Sequence, residues 1–311
     1  MYDVVVVGAG AAGLTTAIYG ERAGMNVVVF EKMGVGGQII LTQDVENYPG
    51  FPSISGPELM EKFEEHAKKF GVEIRYEEVK KIEKQGAHKG AHYIVTTDEA
   101  SYETIAIVVA TGSQPKKLHV DGEQQFIGRG VSYCAVCDGP FFKDKEVAVI
   151  GGGDAAVKEA VYIAQIVKKV TIIHRRDKLR AEKILQDQAF AIPKIDFIWN
   201  SVVDRIDGTD KFEGITLKDV NEPEKLRKLD VAGVFVYIGH IPNTKFIDIV
   251  KKNKGGSILT NDCLLTSAQG IFAAGDCRDT CLRQIATCVG DGALAAYHAG
   301  DYVELVKSGH A

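Results

Sequence analysis

Apolar positions along this chain alternate between short unbroken β-branched runs and longer stretches at helical spacing, and the same alternation occurs twice. Residues 4–7 are Val-Val-Val-Val, too uniform for a strand with one wet face, so they predict a strand buried on both sides. Gly8-Ala9-Gly10-Ala11-Ala12-Gly13 follows directly, then Leu14, Ala17, Ile18 and Ala23 up to Gly24, which predicts a helix of about three turns. Residues 26–30 form the next apolar run and end in Glu31, with Lys32 beside it. The second copy has a strand at 146–150, the turn Gly151-Gly152-Gly153-Asp154-Ala155-Ala156, a helix over 157–167 and a strand at 169–173. The expected fold class is therefore α/β, with two Rossmann-like, three-layer ββα nucleotide-binding domains.

Other stretches place these units in the chain. Residues 57–70 predict a surface helix, with Pro57 near its start, Ser55 and Glu58 at capping-box spacing and Gly71 as its stop. Residues 72–107 alternate in short strands with polar turns at Lys89-Gly90 and Asp98-Glu99, and close on the apolar run 105–110 before Thr111-Gly112. They predict a β-meander set into the first domain. Residues 113–117, with Pro115, and 239–244, with Pro242 after a buried strand at 234–238, have the composition of linkers. They make the second domain an insertion: 1–114 and 246–311 form the first domain, and 115–245 the second. Near the end, a strand at 270–274 leads into Gly275-Asp276. Ile285, Val289, Ala293, Ala296 and Val303 then mark a long helix over 285–306.

The glycine turns carry chemistry. In G-x-G-x-x-G the first glycine makes a tight turn, the second admits a pyrophosphate and the third lets helix and strand close up, with the phosphates at the positive end of the helix dipole. Glu31 stands eighteen residues beyond Gly13, where an acid accepts hydrogen bonds from a ribose diol. In the second copy that slot holds His174, followed by Arg175, Arg176 and Arg180. Most short charge runs are solvated loops, but at this strand end arginines suit a 2′-phosphate. Two charge-assisted bonds of roughly 1.5–3 kcal/mol each would favour NADPH over NADH by about two orders of magnitude or more.

Composition then narrows the setting. The 311 residues suggest two domains, and 45% apolar with 25% charged residues is the balance of a soluble globular protein. With net charge −5 there is no overall basic field for nucleic acid or an anionic membrane. No apolar run approaches the roughly 18 residues of a membrane helix, and no basic leader precedes residue 4, so a cytoplasmic address is expected. Cys134-Ala135-Val136-Cys137-Asp138 reads as a redox dithiol, with Asp138 placed to pass a proton. The competing reading is zinc, with Cys277 and Cys281 as further ligands, although no histidine lies at ligand spacing. Cys263, Cys277, Cys281 and Cys288 otherwise read as small core residues.

Two dinucleotide turns, Cys134-x-x-Cys137 with Asp138, and Gly275-Asp276 followed by Arg283-Gln284 resemble the low-molecular-weight thioredoxin reductases of bacteria and archaea over nearly the whole chain. Gly36-Gly37-Gln38, Glu46-Asn47-Tyr48-Pro49-Gly50, Ala110-Thr111-Gly112 and His174-Arg175-Arg176 with Arg180 add to the likeness. The resemblance implies FAD in the first domain, NADPH in the second, a homodimer, a thioredoxin-like protein as partner and no metal.

Carried over residue by residue, it gives FAD the cradle Gly8, Gly10, Ala11, Ala12 and Gly13, with Glu31 and Lys32 at the adenosine ribose and Val79 near the adenine. Gly36, Gly37, Gln38 and Asn47 would line the flavin side, with Ala110, Thr111 and Gly112 approaching as backbone. Gly275 and Asp276 would hold the ribityl or phosphate segment, and Arg283, Gln284 and Ile285, the last replacing a commoner alanine, would lie at the flavin edge. NADPH would take Gly151, Gly153, Asp154, Ala155, Ala156, His174, Arg175, Arg176 and Arg180.

The resemblance also implies an electron path from NADPH through FAD and the Cys134/Cys137 disulfide to the partner. Cys137 would be the flavin-side sulfur, Cys134 the one that attacks the partner, and Asp138 the acid and base. The family rotates its inserted domain between steps, and the two linkers fit such a hinge. A ferredoxin-NADP reductase would lack the dithiol, and a relative fed by ferredoxin would lack the second fingerprint. A related disulfide reductase using NADH or another partner, and a flavin-binding redox sensor, remain open.

Overall fold

The computed structural model describes residues 1–42, 45–85 and 92–310; the expected turn at Lys89-Gly90 lies outside these. The chain divides into two units, Met1–Gln114 with Ile241–Ala311, and Pro115–His240.

The valine run explains the first unit. In β1 (Tyr2–Val7), Val4 and Val6 face one core and Val5 and Val7 the other, so both sides of the pleat are buried over residues 4–7. α1 (Ala11–Arg22) follows the glycine turn and returns the chain to β2 (Val27–Phe30), parallel to β1 with Val5 opposite Val28. α2 (Gly56–Lys69) starts at Ser55, whose hydroxyl accepts the Glu58 N–H at 3.2 Å. β3 (Glu73–Arg75), β4 (Val79–Gln85), β5 (His92–Thr97) and β6 (Ser101–Val109) complete the run. The meander is continuous with the parallel sheet: β6 pairs antiparallel with β5 over its first residues and parallel with β1 from Thr104 to Val109. Its burial changes at the same point, from mostly exposed to wholly buried.

The chain leaves through β7 (Ser113–Pro115). In the second unit, α3 (Glu123–Phe126), β8 (Val131–Ser132) and α4 (Ala135–Asp138) precede β9 (Glu146–Ile150), α5 (Asp154–Ile163) and β10 (Lys169–Ile173). The helix expected over 157–167 starts three residues earlier, at the glycine turn, and ends at Ile163; residues 164–168 are turn and bend. α6 (Lys183–Ala191) and β11 (Ile195–Ile198) follow. An antiparallel trio, β12 (Ser201–Gly208), β13 (Phe212–Asp219) and β14 (Leu226–Leu229), then leads to β15 (Gly233–Val236). The parallel sheet runs β11-β10-β9-β15-β8, and Val147, Val149, Ile172 and Phe235 form its core with α5.

β16 (His240–Pro242) pairs with β7 and carries the chain back. The return falls at His240/Ile241, earlier than the expected 245/246. Asn243 is already bonded into the first unit: its N–H donates to Gly112 O at 3.0 Å and its Nδ2 to Thr111 O at 2.9 Å. β17 (Ile271–Ala273) then adds to β6, with Ala273 opposite Val109, and α7 (Ile285–Lys307) packs along α1. A Cβ on Gly292 would come 2.4 Å from Ala12 O, so this helix pair needs glycine at its crossing.

Candidate functional site

The first glycine turn is closed on two sides and open on the third. Gly8, at φ 106°, runs so near residue 110 that a Cβ would stand 2.6 Å from the Ala110 oxygen. Gly13 lies against Gly8 O at a would-be 1.8 Å. A Cβ on Gly10 would meet no atom within 4 Å, and Gly10 caps α1 without a side-chain bond or an acid in the first turn. Helical N–H groups at the positive end of a dipole thus face open space bounded by buried Ala11 and Ala12, which fits a pyrophosphate. Glu31 accepts the Ala9 N–H at 2.9 Å and the Met33 N–H at 3.1 Å, so it braces the turn from the end of β2. Lys32 is exposed, and Val79 is buried in the core that holds Phe30.

Other segments converge on this turn. Gly36 N–H donates to Ala9 O at 2.9 Å, and Gly37 lies beside Gly10, while Gln38 is exposed. Asn47 Nδ2 donates to Gln284 Oε1 at 3.1 Å, and Ile285 packs on Val45, Ile54 and Leu59, which joins the Asn47 loop to the start of α7. Ala110 N–H donates to Val7 O at 2.8 Å, which holds Thr111 and Gly112 at the same sheet end. Gly275 closes over α1, with a would-be Cβ 3.1 Å from that of Ala12.

Asp291, which no motif pointed to, accepts the Gly275 N–H at 2.9 Å and both arms of Arg278 at 2.7 and 2.9 Å, so one carboxylate fixes this turn to α7. Asp276 accepts the Cys288 thiol at 3.5 Å. Burial raises its pKa, Cys288 and Arg283 pull it back, and Asp291 adds to the rise. Arg283 Nε is buried without a hydrogen-bond partner. A buried carboxyl whose partner is a thiol and an orphaned guanidinium nitrogen are groups that a polar cofactor chain would satisfy.

The second turn is built differently. A Cβ on Gly151 would stand 2.4 Å from Tyr237 O and 2.7 Å from the Cβ of Ala156. Gly153 caps α5 without a side-chain bond, and the nearest atom to its would-be Cβ is Arg180 Nη2 at 3.9 Å. Asp154 accepts the Glu182 N–H at 2.8 Å and ties α5 to the start of α6; Ala155 is exposed. His174 is buried beneath Gly152, where a Cβ would come 2.5 Å from the imidazole, so the middle residue of Gly151-Gly152-Gly153 is also required to be glycine. Burial, then Arg180, Arg176 and Arg175, holds His174 below the ordinary 6.5, so the ring is neutral at pH 7, and its Nε2 has no hydrogen-bond partner. The three arginines are exposed above it. An open glycine turn with exposed guanidinium groups and an orphaned ring nitrogen fits a phosphorylated dinucleotide.

Cys134 and Cys137 form a disulfide with Cα atoms 5.3 Å apart. Cys134 caps α4: its sulfur accepts the Cys137 N–H at 3.2 Å. Ser132 ties the motif together, because its hydroxyl donates to Asp138 Oδ2 at 2.6 Å and accepts the Cys134 N–H at 3.1 Å. Burial raises the Asp138 pKa above the ordinary 3.8, against the pull of Ser132, so the carboxyl keeps its proton to higher pH than a free aspartate.

Cys277 is buried, with its thiol pushed up to about 11, and Cys288 is largely enclosed. Cys263 and Cys281 are exposed, which corrects their reading as core residues: both lie in the polar loops flanking β17, where Asn261 and Asp279 hold the backbone at the surface. Among the described residues no cluster of three metal-ligating side chains occurs.

The pyridine nucleotide-disulphide oxidoreductase family matches residues 2–292. The thioredoxin reductase of Bacillus subtilis (strain 168) is 49% identical over 310 residues, covering 99% of this chain and 96% of that protein. That of Treponema pallidum (strain Nichols) is 43% identical and covers 99% of each. The crystal structure of thioredoxin reductase from Streptococcus pyogenes MGAS5005 superposes with a TM-score of 0.90 at 47% identity, covering 98% of both chains.

Proposed function

Because the chain belongs to the thioredoxin reductases of the pyridine nucleotide-disulphide oxidoreductase family, it is a flavin-dependent thioredoxin-disulfide reductase, and we propose that its flavin is FAD and its electron donor NADPH. The observation that carries this reading is the Cys134–Cys137 disulfide, beside a buried acid, in the same unit as an arginine-rimmed dinucleotide turn.

Gly8, Gly10 and Gly13 would admit the FAD pyrophosphate, Glu31 the ribose, and Asp276, Arg283 and Gln284 the polar chain and ring edge. Gly151, Gly153 and Ala156 would admit the nicotinamide dinucleotide, and Arg175, Arg176 and Arg180 its 2′-phosphate. Bound FAD would supply two-electron exchange between a reduced nicotinamide and a disulfide.

The chain's own thiols do the rest. In the reduced protein Cys134, whose sulfur receives an amide N–H, attacks one sulfur of the thioredoxin disulfide. That S–S bond breaks, a mixed disulfide forms, and the departing sulfur takes a proton from Asp138. Cys137 then gives its proton to the Asp138 carboxylate and attacks Cys134, which breaks the mixed disulfide and reforms the Cys134–Cys137 bond. The second thioredoxin sulfur is released and takes up from solvent the proton that Cys134 had lost on becoming a thiolate. Burial suits Asp138 to this work, since it stays protonated to higher pH than a free aspartate. A cytoplasmic homodimer completes the proposal; among the described residues no helix is long and apolar enough to cross a membrane.

Anaerobic titration of the purified protein with NADPH and NADH in parallel, followed by oxidised thioredoxin, tests the reading. NADPH should bleach the flavin absorbance at far lower concentration than NADH, and thioredoxin should restore it. Cys137→Ser should still bleach but fail to reduce thioredoxin. A flavin that neither nicotinamide bleaches would sink the donor assignment.

A further inference from the structure

Behind the dithiol lies a group that the reaction above does not use. The Tyr237 hydroxyl accepts the Ala135 N–H, the amide that immediately follows Cys134. On its other side it meets the carboxyl of Glu159, in the middle of α5, and both groups are raised in pKa chiefly by burial. Glu159 Oε2 is buried without a hydrogen-bond partner. The phenol therefore keeps its proton at neutral pH, and its oxygen stays available as an acceptor for the Ala135 amide. The backbone of the same residue packs at the nucleotide turn: Tyr237 N–H donates to Ile150 O at 2.8 Å, and its carbonyl oxygen would stand 2.4 Å from a Cβ on Gly151. One residue thus touches both the fingerprint glycine and the loop that carries the disulfide.

We propose that Tyr237 is a positioning residue for the Cys134–Cys137 turn, holding its first amide in the disulfide geometry, and that Glu159 orients the Tyr237 hydroxyl for this. The inference deepens the reading of Cys134 and Cys137 as the redox dithiol and rests on it. The hydroxyl is bonded in the disulfide form, so its loss should destabilise that form relative to the dithiol. Asp138, which follows Cys137, adds to the rise in the Tyr237 pKa alongside Glu159.

Tyr237→Phe removes only the hydroxyl. The flavin-loaded protein and this variant would be equilibrated in mixtures of reduced and oxidised dithiothreitol, and the free thiols trapped by alkylation. In this exchange the Cys134–Cys137 bond breaks and two thiols form, while dithiothreitol gives up two electrons and two protons and closes its own disulfide ring. The variant should hold about three- to tenfold more dithiol at a given ratio, as loss of one neutral hydrogen bond allows. Tenfold corresponds to about 30 mV. Flavin content and nicotinamide-driven bleaching should stay as in the parent.

Glu159→Gln, which keeps a hydrogen-bond acceptor, should move the equilibrium less than Tyr237→Phe. An unchanged equilibrium in Tyr237→Phe overturns the proposal, as does a Glu159→Gln shift larger than that of Tyr237→Phe. A variant that loses bleaching while keeping the parent equilibrium also overturns it, because Tyr237 would then act at the nucleotide turn. Failure of the parent itself to bleach refutes the donor assignment, yet leaves the dithiothreitol measurement readable.

Discussion

The two glycine turns share a sequence pattern but reach it by different packing. In the first, the third glycine is forced: Gly13 presses on Gly8 O at a would-be 1.8 Å, and the open position is Gly10. In the second, the first glycine is forced as in the first turn, the third place takes Ala156, and the further forced glycine has moved to the middle, where Gly152 lies over the buried His174 ring. Beyond the turns the contrast is electrostatic, with Glu31 on one side and His174 under three arginines on the other. The pattern G-x-G-x-x-G/A thus leaves open backbone where a phosphate can enter, and in the proposed reading the residue at the following strand end selects the nucleotide.

Gly13→Ala breaks the comparison most severely. The added methyl meets backbone that cannot yield, so α1 should be displaced and the flavin lost altogether, read as the ratio of visible to ultraviolet absorbance. Ala156→Gly in the matching place should cost only about 1 kcal/mol and spare the flavin, measured by thermal unfolding.

The next effect concerns nucleotide choice. Arg175→Ala with Arg176→Ala should cut the NADPH-over-NADH ratio of kcat/KM by about a hundredfold, in line with two charge-assisted bonds. Since His174 titrates below 6.5, its neutral ring should leave the parent's ratio nearly flat between pH 7 and 8. A ratio that falls steeply over that interval would assign the discrimination to a group titrating there.

The smallest effect sharpens the role of the ring. Gly152→Ala should destabilise the protein by about 1–3 kcal/mol through overpacking, and His174→Ala in the same chain should recover much of this, a coupling that a double-mutant cycle measures.

Much of the architecture was legible because a few residues decide it alone. Four consecutive valines leave no polar position, so residues 4–7 could only be a strand buried on both faces, and repetition of the unit around a second glycine turn located 146–150 and 169–173. The thiol pair was legible because C-x-x-C brings two sulfurs within one bond. Helix ends were less so: Ile166 and Val167 continue the apolar pattern beyond Ile163, yet they pack from a turn. Cys263 and Cys281 show that residue type alone says little about burial in a polar loop. Asp291, Tyr237 and Glu159 gave no motif because each acts through partners distant in sequence, such as Asp291 on Gly275 and Tyr237 on Ala135. The one available clue was the carboxylate of Asp291 within an otherwise apolar and small-residue stretch of helix.

The interruption of the first unit has a kinetic consequence. β6 has no partner on its β17 side until residues 271–273 have been made, so its buried second half presents an unpaired edge while the inserted unit is being synthesised. Closing that gap through a disordered insertion would be a long-range event. Lys116 N–H, however, donates to Gly239 O at 2.9 Å, so the inserted unit, once folded, holds its own two ends side by side. The loop between β6 and β17 then shortens from about 160 residues to about 35, which lowers the closure entropy by roughly 1 kcal/mol. Folding from the inside outward is thereby the faster order of assembly.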